Sequence, residues 1–207
     1  MRVLLLNGSP RATGCTYTAL REVSAALNDQ GVETEILSLG GKPVRDCIGC
    51  NGCAGKGVCI FPDDVVNQWI AKAHEADGFV FGSPVYYAHP TGQLLAVLDR
   101  LFYAGRDAFS HKPGAAVVSA RRAGATASLD VLNRYFTNTQ MPVVSSTYWC
   151  MVHGTAPAQV KQDLEGLQTM RNLGRNMAWI LKCIQLGKDN GVAPPQVQAD
   201  QRTDVIR

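Results

Sequence analysis

Hydrophobic residues fall in two rhythms along this chain. Short runs are apolar throughout, and between them apolar residues recur three or four positions apart. Val3-Leu4-Leu5-Leu6 is a continuous run, as expected of a strand buried on both faces. Thr16 to Gln30 places Leu20, Val23 and Leu27 on one side and meets Gly31, so the spacing predicts a helix that stops there. Thr34 to Leu39 reads as a second strand. Residues 40–62 then lose all periodicity and are rich in glycine and cysteine. A structureless stretch of that length inside a compact domain is usually functional. Asp63 and Asp64 are expected to cap a helix running to about Ala73. Gly78-Phe79-Val80-Phe81 is a third strand, Thr91 to Tyr103 a helix with Leu94, Leu98 and Leu101 inward, and Gly114 to Val118 a fourth strand. A helix follows Gly124 to about Thr139, and Pro142 to Ser145 reads as a short fifth strand. Residues 157–186 read as one long helix with Leu164, Leu167, Leu173, Met177, Ile180, Leu181 and Ile184 on its apolar face.

Strands alternating with helices imply an α/β fold, a doubly wound parallel sheet. Five strands fit the order 2-1-3-4-5, whose switch point lies between the first and third strands; that order is expected of the fold class and does not follow from periodicity. A single domain is expected over residues 1–189. The remainder, 190–207, is polar and carries Pro194-Pro195, so an extended or disordered arm is expected.

Composition narrows the function classes. A chain of 207 residues with 46% hydrophobic content can bury one full core. The net charge of +3 is spread without a basic cluster, so neither nucleic acid nor an anionic membrane is expected as a partner. The opening apolar run carries Arg2 and turns at once into Gly8-Ser9-Pro10, unlike a signal peptide. No run approaches the roughly 20 apolar residues of a membrane span. The cytoplasm is the expected location, with the seven cysteines reduced or bound to metal.

Two Gly-Ser-Pro turns carry the candidate chemistry. Each follows a buried strand and precedes a helix, where open parallel sheets bind ligands. The first, with Ser9, Arg11, Gly14, Cys15 and Thr16, ends at a helix N-terminus that suits a dianion. Ser9 and Thr16 offer hydroxyls and Arg11 a guanidinium. The plainer alternative is a glycine turn with Thr16 as helix cap and a solvated Arg11. The loop has no G-x-G-x-x-G, and Gly55-Lys56-Gly57 lacks the Ser or Thr of a Walker loop. The second turn runs through Pro84, Val85, Tyr86 and Tyr87 and suits a flat ring, through backbone N–H groups and an aromatic face. Half-buried aromatics at a sheet edge are the alternative there. Ser119 to Gly124 occupies the third loop position, where small residues permit close approach. Arg121 in that loop can touch a flavin or a pyridine nucleotide; it and Arg122 read equally well as solvated. A phosphate site beside a ring site fits flavin mononucleotide.

Cys47, Cys50, Cys53 and Cys59 form a C-x₂-C-x₂-C-x₅-C group, with four soft ligands in one loop. The compact spacing favours a 4Fe–4S cluster, although the last gap is five rather than three and Ile60 stands where a ferredoxin has proline. Zinc and reduced, metal-free cysteines remain as alternatives. Cys15 and Arg21 have the spacing of a phosphatase loop, but the residues between them lack glycine and continue into a helix. Trp149, Met151 and His153 follow the expected fifth strand and are expected to border the flavin mononucleotide site.

With Ser9-Pro10-Arg11, Gly14, Thr16 and Gly82-Ser83-Pro84-Val85-Tyr86, the chain resembles the NAD(P)H-dependent FMN reductase family of flavodoxin-like proteins over about residues 1–150. The four cysteines resemble the iron–sulfur flavoprotein branch. The resemblance implies an FMN-dependent oxidoreductase that takes a hydride from NAD(P)H and passes electrons to a small acceptor such as a quinone, azo or nitro compound. A second reading is an iron–sulfur flavoprotein fed by a ferredoxin-like donor; a third is a non-enzymatic electron carrier or redox sensor. A homodimer or homotetramer is also implied.

Overall fold

Val3, Leu4, Leu5 and Leu6 are almost wholly buried and form the middle of β1 (Arg2–Asn7), the strand on which the sheet is built. In the computed structural model, which describes residues 1–198 together with Gln201 and Thr203, β1 is flanked on both sides by parallel neighbours. It pairs with β2 (Glu33–Ser38), Leu5 opposite Ile36, and with β3 (Gly78–Pro84), Leu5 opposite Val80. β3 pairs with β4 (Gly114–Ala120), and β4 with β5 (Met151–His153). The order is 2-1-3-4-5, the order expected of this fold class.

Helices cover both faces. On one, α1 (Cys15–Asn28) packs Leu20, Val23 and Leu27 inward beside α6 (Leu164–Asp189), which buries Met170, Leu173, Met177 and Leu181. On the other lie α2 (Val66–Glu75), α3 (Gly92–Ala104) and α4 (Ala125–Thr137). There the core is aromatic: Phe81 meets Phe136 at 4.9 Å between ring centres, and Phe102 stacks on Phe109 at 4.4 Å. A short helix α5 (Pro157–Val160) precedes α6.

The structure corrects three boundaries. The fifth strand lies at Met151–His153, not Pro142–Ser145. The earlier segment makes only one bridge, with Pro142 O accepting from Gly114 N and Val144 N donating to Gly114 O. Residues 145–147 then leave the sheet because α6 holds them. Asn176 donates to Ser145 O, Ser146 to Thr169 O, and Asn172 to Thr147 Oγ1. The chain rejoins β4 when Cys150 O accepts from Val118 N. The long helix is broken at 161–163, where Asp163 accepts from Gly166 N at 2.9 Å and caps α6, while its second oxygen takes the His153 N–H at 2.7 Å. Asp63 and Asp64 stand just before α2, and Asp64 accepts from Val66 N, but its other oxygen faces Arg100. Residues 192–198 are irregular and exposed; most of the rest of the expected arm lies outside the described residues.

Candidate functional site

Three loops at the carboxyl ends of β1, β3 and β4 are tied to one another. Gly8 N donates to Gly82 O at 2.8 Å, and Thr91 Oγ1 donates to Gly8 O at 2.9 Å. A side chain at Gly8 would place its Cβ 2.8 Å from Leu94 Cβ and 2.9 Å from Gly82 O, so only glycine lets the two Gly-Ser-Pro turns approach this closely. The third loop joins through Val85 N, which donates to Ser119 O at 2.9 Å. Gly124 has φ +91°, and a Cβ there would stand 2.6 Å from Ala88 Cα.

Within the first loop, Asn7 is fully buried and braces the turn. Its Oδ1 accepts from Ser9 N at 3.2 Å, and its Nδ2 reaches Ala12 O at 3.4 Å. Ser9 is buried and accepts from Arg11 N at 3.1 Å. Gly14 caps α1 without a side-chain hydrogen bond, and the first backbone bond of the helix runs from Thr18 N to Gly14 O. The N–H groups of Cys15, Thr16 and Tyr17 therefore have no helical partner, and Arg11 is exposed beside them. Such an end presents free N–H donors and a partial positive charge, the features that suit an anion. Thr16 does not face it freely: its Oγ1 shares a 2.8 Å hydrogen bond with Ser119 Oγ, and both residues are buried. Their task is to join the loops. Cys15 lies 3.6 Å from Gly154 O; burial raises its thiol pKa, partly offset by Arg11.

The second loop ends in a tight turn. Tyr86 N donates to His89 O at 2.8 Å and His89 N returns to Tyr86 O at 3.0 Å. The two residues between, Tyr87 and Ala88, have φ of +52° and +59°. Positive φ at both central positions costs non-glycine residues energy, and such strain gathers at ligand-binding sites. It holds Tyr87 fully out in solvent and leaves Tyr86 half exposed. Pro84 and Val85 are half-buried at its base, and Arg121 and Arg122 are exposed on the third loop. The residues expected to bind the cofactor thus lie on three joined loops, with Thr16 and Ser119 as ties between the first and third. Sequence reasoning missed Asn7 and Thr91 as braces. It also missed Gly154, which extends the pairing of β5 with β4 by donating to Ala120 O at 3.0 Å and lies beside Cys15. An asparagine directly before a Gly-Ser turn is a signal for the first, since its side chain mimics a backbone turn.

The cysteine loop lies elsewhere. Cys47, Cys50, Cys53 and Cys59 line one pocket with Phe61, Arg100 and Tyr103. Among the described residues no group of three or more Cys, His, Asp or Glu stands at metal-ligating spacing. The donor set, four thiols on one pocket, fits a thiophilic metal group. Arg100 is the residue the sequence hid. It interrupts the inward stripe of α3 between Val97 and Leu101, and its side chain is 1% exposed. It forms an ion pair with Asp64 and donates to Cys59 Sγ at 3.3 Å. Burial works against its charge, but these bonds outweigh it and hold its pKa above the ordinary value. Cys150, by contrast, is a core thiol pushed up to about 12 by burial. Thr91, the N-cap of α3, and Arg100 lie nine positions apart, so crevice and cysteine pocket are separated by about 14 Å along the helix.

Comparison with known proteins finds relatives over most of the chain. The sequence pattern of the family described as NADPH-dependent FMN reductase matches residues 1–156. An iron–sulfur flavoprotein of Methanocaldococcus jannaschii is 36% identical over 193 residues, spanning 89% of this chain and 100% of the relative. Among solved structures, a flavone reductase superposes with a TM-score of 0.68 at 18% identity, covering 89% of this chain and 64% of that one. A flavodoxin from an archaeon gives 0.61 at 15% identity, covering 88% and 99%. These structural likenesses show the flavodoxin-like fold. No helix among the described residues is long and apolar enough to cross a membrane. The chain belongs to the NADPH-dependent FMN reductase family and is a flavin oxidoreductase by that membership.

Proposed function

We propose that this protein holds FMN in the three-loop crevice and an iron–sulfur group on Cys47, Cys50, Cys53 and Cys59, and moves electrons between them and outside partners. The observation that carries the reading is the single pocket lined by all four cysteines. The near full-length relative named an iron–sulfur flavoprotein supports it. Bound FMN supplies a ring that accepts or gives one or two electrons, and a 4Fe–4S cluster carries one.

The chain's own part is placement. Arg11 and the free N–H groups of α1 hold the phosphate. Backbone from Pro84 to Tyr87 meets the ring edge, Tyr86 offers an aromatic face, and Ser119 to Gly124 lets the backbone come close. Ties through Thr16, Ser119 and Thr91 fix the three loops before the ligand arrives, which lowers the ordering cost of binding. NAD(P)H as electron donor is a second reading, favoured by the family's description and by Arg121 and Arg122 exposed beside the crevice. A ferredoxin-like donor suits the cysteine pocket. The acceptor is a small molecule such as a quinone, azo or nitro compound. Seven cysteines that stay reduced or bind metal suit a reducing compartment such as the cytoplasm. A homodimer or homotetramer would wall in the exposed Tyr86 and Tyr87.

The test is anaerobic reconstitution with ferrous iron and sulfide. A broad brown absorbance beneath the flavin bands is expected, with about four iron atoms per chain. A chain that stays purely yellow and takes up no iron is a simple FMN reductase. Steady-state NADPH oxidation with a quinone acceptor tests the second reading in the same preparation.

A further inference from the structure

The four cysteines are held very unequally. Cys59 is clamped on its main chain by Asn67, whose Oδ1 accepts from Cys59 N and whose Nδ2 donates to Cys59 O, both at 2.8 Å. Its sulfur takes the Nε–H of Arg100. Among the described residues, Cys47 and Cys50 make no side-chain hydrogen bond, and Cys53 reaches only Tyr103 O at 3.9 Å. Cys50 is exposed, and the chain around it bends through positive φ at Gly49 and Asn51.

Arg100 does more than fasten a loop. Its remaining donors go to Asp64, Arg45 O and Phe61 O, all acceptors that a structural clamp needs. Nε alone points at sulfur. A neutral thiol is a weak acceptor, whereas a thiolate is a strong one and gains from the buried positive charge as well.

Resting on the iron–sulfur reading above, we infer that Arg100 is a positioning residue for that group. It fixes Cys59 as the first ligand, onto which the looser Cys47, Cys50 and Cys53 close, and its N–H and charge raise the group's reduction potential. Hydrogen bonds to cluster sulfurs and local net charge are the levers by which a protein sets such a potential.

The test uses the full chain loaded with FMN and reconstituted anaerobically. Two variants separate charge from packing: Asp64→Asn, which leaves Arg100 without its counter-charge, and the double change Arg100→Met with Asp64→Asn, which removes both charges together. The cluster potential is read by titration against its electron paramagnetic resonance signal, with the FMN potential as internal reference. The expected result is opposite movement: upward in Asp64→Asn, downward in the double variant, with the FMN potential unchanged. The double variant should also lose iron to a chelator about tenfold to a hundredfold faster than the parent. Potentials that stay put, or move the same way in both variants, overturn the role of Arg100. A parent chain that binds no iron overturns the iron–sulfur reading itself, and this inference with it. FMN content and thermal melting of each variant identify a failure to fold. In that event Arg100→Lys, which keeps the charge but not the planar fork, must still show the faster iron loss or the inference fails.

Discussion

The crevice and the cysteine pocket sit at opposite ends of α3 and are built by different means. In the crevice every loop is tied to its neighbour by backbone and hydroxyl hydrogen bonds: Gly8 to Gly82, Thr91 to Gly8, Val85 to Ser119, Thr16 to Ser119. The cysteine pocket has no sheet beneath it. It hangs from one buried arginine, one asparagine and the first residues of its loop, where Gln93 reaches Lys42 O. A site that must accept a rigid ring benefits from being formed in advance. A site whose ligands must wrap an inserted inorganic group needs one fixed point and slack elsewhere.

That contrast can be broken most forcefully at Arg100. Changing it alone to Met leaves Asp64 as a nearly buried carboxylate without its counter-charge, held only by the Val66 N–H among the described residues. The expected cost is about 3–5 kcal/mol, most of it recovered when Asp64→Asn is added. Chemical denaturation of the metal-free chain gives both numbers. Equal stability of the single variant and the parent would show that the cysteine loop does not hang from this residue.

The next effect belongs to the crevice. Arg11→Ala removes one charge-assisted contact to the phosphate, worth about 1.5–3 kcal/mol, so FMN affinity should fall roughly tenfold to a hundredfold. Riboflavin, without the phosphate, should bind parent and variant alike. Fluorescence quenching titrations with both ligands decide it; equal loss for riboflavin would remove the phosphate from the first loop.

Ser119→Ala tests the ties themselves. It leaves the buried Thr16 hydroxyl without its partner, which should cost about 1–3 kcal/mol, while adding Thr16→Val should restore most of the loss. Thermal melts of the cycle measure it. Two changes that simply add would mean the loops are held by other bonds.

How far these two regions could be read from sequence follows from the same contrast. The crevice is encoded locally: an apolar run, a Gly-Ser-Pro turn and a helix stripe each occupy adjacent residues, so Ser9, Arg11, Pro84 and Tyr86 were visible at once. Thr16 and Ser119 were visible as polar residues in the right loops, but not as partners across 103 positions. The fifth strand misled because Val143 and Val144 have strand character, and only the grip of α6 on residues 145–147 moves the main pairing to Met151. Asp163 broke the long helix for a similar reason, since its second oxygen is drawn to His153 N. Arg100 was illegible because its partners lie 36 to 55 residues away, in a loop without periodicity. The cysteine spacing showed that a set exists, and not which member is fixed.

The smallest expected effect lies at the sheet edge, far from both sites. The hydrogen bond from Lys72 holds the Glu35 carboxyl below its ordinary pKa, with Arg2 adding to it. A depressed carboxyl stabilises the fold above its unfolded pKa near 4.5, and that contribution is lost as pH falls through the lower folded value. The pair is partly exposed and screened, so Glu35→Gln should cost about 0.5 kcal/mol or less at pH 7 and nothing at pH 2. Melting curves at the two pH values check the sign.

The central claim is that flavin and iron occupy separate sites on one chain. It is tested most directly by counting both in a pair of variants. After anaerobic reconstitution, Cys50→Ala should bind one FMN with parental affinity and lose its iron, while Arg11→Ala should hold about four iron atoms and bind FMN weakly. Loss of FMN affinity in Cys50→Ala, or loss of iron in Arg11→Ala, would contradict the separation. A parent chain that takes up no iron would leave the crevice as its only redox site.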